Sequence, residues 1–216
     1  MNYQEKVRLF QIASGQPVSD TPRQLTKEEY EFRDNLLREE IRELQYAIVD
    51  NNRVEILDAL CDIKYVNDGT ANAEGWYQDD GINESDYNGW GMFQSNNLII
   101  KDNMELLSIV NSKDCDMINE SVYCLAYAFG FTLENFKAAL DRVHESNMSK
   151  FCHDIKTAER TQDFYKKQGI DTYIEPRNKM TVVYRKGDGK VLKSVDYHPV
   201  YLDDLVMTID GKEVKP

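Results

Sequence analysis

The sequence has few cysteines, few prolines and no long apolar run, and each shortage narrows the class of protein. Its 4 cysteines form no CxxC pair, so we expect reduced cysteines that serve as packing residues. With 41% hydrophobic residues and only 5 prolines in 216, the composition predicts one globular domain with an appendage. No apolar run is long enough to cross a bilayer, and charges interrupt the opening MNYQEKVRLFQIAS, so we expect neither a membrane segment nor a signal peptide.

Basic residues are also scarce. The chain has 26 Lys and Arg against 38 Asp and Glu, which gives a formal net charge of -12 and a pI near 4.8. Such a chain repels nucleic acid and anionic membranes, so we expect neither as a partner. Reduced cysteines and the expected lack of a signal peptide or membrane segment predict a cytoplasmic location. An anionic ligand would need metal ions or a local cluster of Lys and Arg.

Helical patterns dominate the first 150 residues. A short amphipathic helix is predicted at residues 3–13, and Thr26 begins a long helix that runs to about Asp50. Asn52 begins the next helix, and later helical patterns cover 117–129 and 132–148. The short link at residues 50–52 makes the two long helices antiparallel neighbours. The sequence therefore predicts a mainly α fold, a four-helix bundle.

Two segments depart from this pattern. Residues 76–116 are polar, glycine-containing and aromatic with no sustained period, except that IIKDNMELLSIVN predicts one helix. Aromatic side chains there either stack on a base, as part of a lid, or build a local core; they are Trp76, Tyr77, Tyr87, Trp90 and Phe93. After a helix that ends at Gly169, strand-like patterns appear in DTYIE, KMTVVYRK and KVLKSVDY, with a hairpin turn predicted at residues 186–189. We therefore divide the chain into a helical domain, 1–150, with an insertion at about 76–115, and a C-terminal helix and β-hairpin appendage, 151–216.

Acidic side chains fall on apolar faces of the two long helices. Glu40 and Glu43 border the core-facing side of the first helix, and Glu39 points further round. The second helix is apolar around nearly its whole circumference, yet one narrow face carries Glu55, Asp58 and Asp62, with Tyr65 at its edge. Two simpler explanations are a solvated acidic face, and a capping role for Glu55 towards Asn52.

Several buried like charges are costly unless they are protonated or compensated. The nearby cations, Arg42 and Lys64, point elsewhere on the helical wheel. A divalent cation is the simplest compensation, and an all-carboxylate site suits Mg²⁺ or Mn²⁺. The pattern therefore predicts a metal site between the two helices.

The acidic residues of the two long helices also resemble the motif of a known family. Glu39-Glu40-x-x-Glu43 followed by Glu55-x-x-Asp58 resembles the EExxE…ExxD signature of the MazG-type all-α nucleoside triphosphate pyrophosphohydrolases, a superfamily that includes dimeric dUTPases and phosphoribosyl-ATP pyrophosphohydrolases. ALCDIKYVNDGTANAEG and DRVHESNMSKF are similar to other parts of the family bundle. The tail RKGDGKVLKSVDYHPVYL resembles that of a bacterial and phage branch, which implies the host cytoplasm if the chain is phage-encoded. The insertion departs from the family pattern and leaves the choice of substrate open.

The resemblance implies metal-dependent hydrolysis of a (deoxy)nucleoside triphosphate, (d)NTP, between its α- and β-phosphates. It assigns Mg²⁺, for which Mn²⁺ can substitute, to Glu40, Glu43, Glu55 and Asp58. Glu39 and Glu40 are the implied catalytic residues, Glu39 either as general base or in support of a metal ligand. The implied substrate-binding residues are Asp62, Tyr65, Asn147 and Lys150. A homodimer or higher homo-oligomer is expected.

Other interpretations stay open at this stage. Lys150 can answer the dipole at a helix C-terminus, and His144 can be a structural hydrogen-bonding residue. Three lysines of the predicted hairpin are either a solvated face or close over phosphates from a partner subunit; they are Lys186, Lys190 and Lys193. Phosphoribosyl-ATP is an alternative substrate. A non-catalytic acidic interaction protein is a further alternative, whereas a calcium-binding module is disfavoured because DDGINESDYNG does not match a calcium-loop motif.

Overall fold

The computed structural model describes residues 1–77, 82, 83, 85, 87, 115–177 and 179–206. These ranges form helices α1 to α7 and one antiparallel sheet of β1 and β2. In chain order the elements are α1 Tyr3–Ser14, α2 Lys27–Val49, α3 Arg53–Glu74, α4 Cys115–Ala128, α5 Leu133–Met148, α6 Ile155–Lys166, β1 Thr172–Arg177, β2 Met180–Arg185 and α7 Asp203–Val206. The prediction of a mainly α fold with a small C-terminal β appendage is confirmed. Most of the insertion lies outside the described residues, including the helix predicted in IIKDNMELLSIVN.

Side-chain caps fix the beginnings of the long helices. The Thr26 side chain accepts from the Glu29 backbone N–H and the Glu29 carboxylate accepts from the Thr26 N–H, so α2 begins at the predicted capping box. At α3 the Asn52 side chain accepts from the Glu55 N–H, 3.3 Å away. The Asn52 N–H, however, donates to the carbonyl of Ala47 at 2.9 Å. The Glu55 carboxylate is therefore not held at the helix start by a reciprocal bond.

Helix α3 lies at the centre of the helical domain. It packs against α1, α2, α4 and α5, and its buried side chains include Leu57, Leu60 and Cys61. The loop before α2 crosses the end of α3, where the Ser19 and Arg23 N–H groups donate to α3 carbonyls. This arrangement leaves the facing sides of α2 and α3 in close contact along the length of the helical hairpin.

An ion pair is buried inside α3. Lys64 Nζ lies 3.0 Å from Asp68 Oδ2, and both side chains are fully buried. Asn119 of α4 donates to Asp68 Oδ1 at 3.1 Å, and Lys64 Nζ lies 5.6 Å from the ring centroids of Tyr3 and Tyr123. Lys64 is thus directed into the core and away from the acidic face of the same helix.

The appendage has two strands where three were predicted. β1 pairs with β2 in the register Thr172↔Arg185 to Arg177↔Met180, and Lys179 in their connection has a φ of 68°. The turn at residues 186–189 does form, since the Arg185 N–H donates to the Lys190 carbonyl at 2.9 Å. The segment after it makes one bridge, at Val191, and is not a strand. The reason is that the Ser194 N–H turns away from β2 and donates to the carbonyl of Lys150 at 3.1 Å.

The last described residues pack against the helical domain. Leu202, Leu205 and Val206 belong to the main hydrophobic core, and Arg142 of α5 makes an ion pair with Asp204 at 2.5 Å. The boundary that we placed at residue 150 stays a prediction. None of the described helices is long and apolar enough to cross a membrane. The four cysteines are free, and three of them are buried.

Candidate active site

The acidic residues meet where the second half of α2 lies against the first half of α3. Glu39, Glu40 and Glu43 come from α2, and the α3 residues are Glu55, Asp58 and Asp62. The side chains of Glu40, Asp58 and Asp62 are partly buried, whereas those of Glu39, Glu43 and Glu55 are exposed. We call Glu40, Glu43, Glu55, Asp58 and Asp62 the carboxylate cluster.

The charges of the cluster act on one another. Burial, and then the charges of Glu43, Glu39 and Asp58, raise the pKa of Glu40 to about 7. Burial, followed by the charges of Glu55 and Glu43, raises the pKa of Asp58 to about 6. The pKa of Glu43 is raised by burial, Glu39 and Glu55. The residues that the sequence predicted as metal ligands therefore lie close enough together to oppose one another's ionisation.

Asp62 lies at the inner end of the cluster. Burial raises the pKa of its carboxyl well above the ordinary value, and the charges of Glu40 and Asp58 add to that effect. Tyr65 follows one turn later, and burial together with the charge of Asp62 raises its pKa. The acidic face predicted on α3 thus continues into the protein interior.

Lys150 supplies positive charge to this cluster. Its charge acts on Glu40, Asp58 and Asp62 in the direction that lowers each pKa. Burial lowers the pKa of Lys150 itself, and the charges of Asp62 and Glu40 oppose that shift. Lys150 Nζ donates to Asn147 Oδ1 at 2.5 Å. The structure therefore brings Lys150 to the cluster, with Asn147 bound to its ammonium group.

Tyr65 and His144 belong to an aromatic group next to the cluster. The Tyr65 hydroxyl and His144 Nδ1 are 3.3 Å apart, and the Tyr65 ring makes edge contacts with Phe10 and Tyr3. Burial, and then the charge of Lys6, lowers the pKa of His144 to about 4. His144 is a partly buried hydrogen-bonding residue, and substrate binding by Tyr65 stays a prediction.

Two residues of the C-terminal segment lie within electrostatic reach of Lys150. Lys193 and Tyr197 act electrostatically on Lys150, and Lys193 Nζ lies 4.3 Å from the centre of the Tyr197 ring. The sequence indicates Lys193 only as one of the hairpin lysines and contains no signal that singles out Tyr197. A regular third strand would have kept both on the appendage, so the sequence pattern could not place them beside α5.

The chemistry of the cluster fits a hard divalent cation. Its donors are all carboxylates, and a cation would relieve the repulsion that raises their pKa values. Across the described ranges, no three or more Asp, Glu, His or Cys side chains are arranged to hold one ion as they stand. Binding a cation would therefore require the carboxylates to turn towards a common point, which the exposed side chains of Glu43 and Glu55 can do.

A large cavity lies on another side of the helical hairpin. Its volume is about 860 Å³, and it is lined by the loop at residues 22–27, by Tyr30 and Arg33 of α2, and by Thr70 and Glu74 of α3. Burial lowers the pKa of Arg33 to about 10, and Arg33 donates to the Gln16 and Thr70 side chains at 3.1 Å. The residues that line the cavity include none of the carboxylate cluster. The sequence left base stacking and a local core open for the insertion aromatics. Of these, Tyr87 is buried and donates to the Phe131 carbonyl, whereas Trp90 and Phe93 lie outside the described residues.

Comparison with known proteins identifies the family. The profile of the phosphoribosyl-ATP pyrophosphohydrolase family matches residues 7–84, which contain every member of the carboxylate cluster. An uncharacterized protein of Acanthamoeba polyphaga mimivirus is 31% identical over 206 residues, covering 80% of this chain and 81% of the relative. No solved structure matches. Residues 7–84 therefore form a domain of the phosphoribosyl-ATP pyrophosphohydrolase family, within the MazG-like all-α nucleoside triphosphate pyrophosphohydrolase superfamily, whose general activity is the hydrolysis of nucleotide pyrophosphate bonds.

Proposed function

We propose that the protein hydrolyses a (d)NTP between its α- and β-phosphates. The oxygen of a water molecule forms a bond to the α-phosphorus while the bond from that phosphorus to the bridging oxygen breaks. The products are a nucleoside monophosphate and pyrophosphate, and the water gives up its protons to the solvent through a carboxylate. The observation that carries the proposal is the carboxylate cluster, which lies within the region matched by a pyrophosphohydrolase family and has Lys150 beside it.

Glu40, Glu43, Glu55 and Asp58 would hold Mg²⁺, or Mn²⁺ in its place. When bound, such a cation neutralises phosphate oxygens and makes a water molecule more acidic. Without such a cation, the carboxylates of the cluster would repel a triphosphate, and the formal net charge of -12 on the whole chain would add to that repulsion.

The other residues of the site bind and orient the substrate. Lys150 is close enough to the cluster to contact the phosphate chain, and Asn147 holds the lysine side chain in place. Glu39 is exposed beside Glu40, so its carboxylate can take a proton from the attacking water. Asp62 closes the inner end of the cluster. A homodimer or higher homo-oligomer in the cytoplasm is the state in which we expect this site to work.

Phosphoribosyl-ATP is the second candidate substrate. The matching family takes its name from hydrolysis of that compound, and the bond broken is again a pyrophosphate bond of a nucleotide. The same carboxylates and Lys150 would serve either reaction, so only the part of the site that receives the base and sugar distinguishes them.

A substrate panel in ¹⁸O-labelled water tests the proposal. The purified protein is incubated with each NTP, each dNTP and phosphoribosyl-ATP, with Mg²⁺ and with excess EDTA. We expect pyrophosphate release in Mg²⁺ only, with the ¹⁸O in the monophosphate. Label in the pyrophosphate would show attack at the β-phosphorus and contradict the proposed bond cleavage. No release from any compound would favour the non-catalytic interaction protein.

A further inference from the structure

The C-terminal segment brings a second lysine to the side of the molecule where Lys150 lies. The Ser194 N–H donates to the Lys150 carbonyl at 3.1 Å, so the backbone at residue 193 runs directly beside residue 150. Residue 150 follows α5, and residue 193 follows the turn after β2. The bond between Ser194 and Lys150 thus brings the chain at Lys193 next to Lys150, although the two lysines are far apart in the sequence.

The backbone around Lys193 is held on both sides. The Leu192 N–H donates to the Val183 carbonyl at 2.8 Å, and the Tyr165 hydroxyl donates to the Lys193 carbonyl at 3.1 Å. The side chains of Leu192 and Ser194 are buried, whereas that of Lys193 is exposed. The fold therefore fixes the position from which the Lys193 side chain extends.

Tyr197 supports the Lys193 side chain. Lys193 Nζ lies over the Tyr197 ring, 4.3 Å from its centre. Ser146 Oγ of α5 donates to the carbonyl of the neighbouring His198 at 2.9 Å, and the Tyr197 hydroxyl lies 3.3 Å from the same Ser146 Oγ. Lys193 is therefore held against the end of α5, and within the described residues it forms no ion pair.

The ammonium groups of Lys150 and Lys193 repel each other. The charge of Lys193 lowers the pKa of Lys150, in the same direction as burial. Neighbouring cations repel each other, and an anion bound between them removes that repulsion. The charges of Asp62 and Glu40 act on Lys150 in the opposite direction, so Lys150 lies within electrostatic reach of both Lys193 and the carboxylate cluster.

We propose that Lys193 is a second phosphate-binding residue of the substrate site, placed by the C-terminal segment to contact the phosphate chain of the nucleotide beside Lys150. This inference rests on the proposed function. The cluster and its cation would bind phosphate oxygens from one side, and the two lysines would bind them from the other. The simpler alternative is a solvated lysine that only rests on the Tyr197 ring.

Kinetics of Lys193→Met test this role. We expect the KM for the preferred nucleotide to rise by about tenfold or more, since one charge-assisted contact to phosphate is lost. Lys193→Arg keeps the charge and should stay within a few-fold of wild type. Lys186→Met and Lys190→Met are the matched controls, because both remove an exposed lysine from the same segment. Circular dichroism and the melting temperature check that each variant is folded.

Calorimetric titration with pyrophosphate and Mg²⁺ gives a second readout that needs no turnover. We expect weaker binding to Lys193→Met alone among the methionine variants. A KM and a pyrophosphate affinity equal to those of Lys190→Met would overturn the role of Lys193 and leave the proposed function standing. If the wild type hydrolyses no nucleotide, the proposed function fails, and the titration still decides the matter: selective weakening in Lys193→Met supports the phosphate contact, and equal or absent binding in all variants refutes it.

Discussion

Asp58 has a charge that its own neighbours oppose. Burial and the charges of Glu55 and Glu43 raise its pKa, so the ionised form destabilises the metal-free fold. We expect Asp58→Asn to lower the hydrolysis rate by at least about a hundredfold, as for removal of other key electrostatic groups. The same change should stabilise the metal-free protein by about 1 kcal/mol at neutral pH, since the partly exposed charge is removed.

Steady-state kinetics and denaturant unfolding in EDTA measure the two effects of Asp58→Asn. Asp163→Asn on the exposed side of α6 is the matched control and should change neither. Turnover near the wild-type rate in Asp58→Asn would show that the active site lies elsewhere.

The lowered pKa of His144 makes the fold less stable as the pH falls, whereas the raised pKa values of the carboxylate cluster act in the opposite direction. Its pKa is about 4 in the folded protein against about 6.5 in an unfolded chain. Between these values only the unfolded chain takes up the proton, so the contribution is complete above pH 6.5 and is lost as the pH falls towards 4. Because the ring is partly exposed, we expect the loss to be about 1–2 kcal/mol.

The variant His144→Gln isolates this effect. Unfolding free energies of wild type and His144→Gln are compared from pH 7 to pH 4.5, and only the wild type should show the loss. Subtraction removes the contributions of the carboxylates, which both proteins share. His153→Gln replaces an exposed histidine and should follow the wild type. Parallel curves for His144→Gln and wild type would contradict the prediction.

The predictable part of the site is the part that lies on regular helices. Glu40, Glu43, Glu55 and Asp58 could be placed on facing sides because a period of 3.6 residues fixes directions along each helix. Asn147 could be placed near the end of α5 in the same way, but its bond to Lys150 could not, since residue 150 follows the helix. Tyr197 was missed because its position depends on where the chain goes after β2.

Within α3, the buried pair of Lys64 and Asp68 ties the central helix to its neighbours. Loss of Lys64 would leave the Asp68 carboxylate buried beside Asn119 without its cation. We expect Lys64→Met to cost about 3 kcal/mol or more in unfolding free energy. The double variant Lys64→Met with Asp68→Asn should be more stable than the single variant, because no buried charge is left.

A surface pair with the same spacing provides the control. Lys27 and Glu31 are also four residues apart, lie 3.7 Å from each other and are exposed. Lys27→Met should therefore change the unfolding free energy by less than about 1 kcal/mol. Equal effects of Lys27→Met and Lys64→Met would mean that burial of the α3 pair contributes nothing to its strength.

The helix boundaries could be predicted from the local sequence, whereas the number of strands in the sheet could not. Thr26, Asn52 and Gly75 mark helix ends through side chains or conformations that need no distant partner. Residues 190–197 alternate like a strand, but a strand exists only if a neighbour accepts its hydrogen bonds. Lys150 competes successfully for the N–H of Ser194, and no local pattern reveals that competition.

For the whole molecule we predict a homodimer. Among the described elements α2 packs extensively on α3 alone. Its outer side exposes large apolar side chains: Phe32 is 47% exposed, Tyr46 is 65% exposed and Val49 is 76% exposed. Tyr46 and Val49 are one turn apart and form an exposed apolar pair, which a subunit interface would bury. Sedimentation equilibrium at micromolar concentration should give twice the chain mass of 25.1 kDa.

Charge insertion locates the interface. Tyr46→Asp combined with Val49→Asp should shift the sedimenting species to the monomer mass. Phe164→Asp is the control, since Phe164 is 50% exposed on α6 of the appendage. A wild-type monomer at these concentrations would refute the dimer, and a dimer that only Phe164→Asp dissociates would move the interface to the appendage.

Residues 202–206 pack on the helical core but are synthesised after the helices that form the rest of it. Leu202, Leu205 and Val206 complete a hydrophobic core whose other helices are synthesised first. A nascent chain that has emerged only as far as α5 carries that core with part of its surface open to water. At about 5–20 residues per second, several seconds of translation separate α5 from the segment that covers it. The hydrophobic core is therefore complete only after Leu202, Leu205 and Val206 have been synthesised.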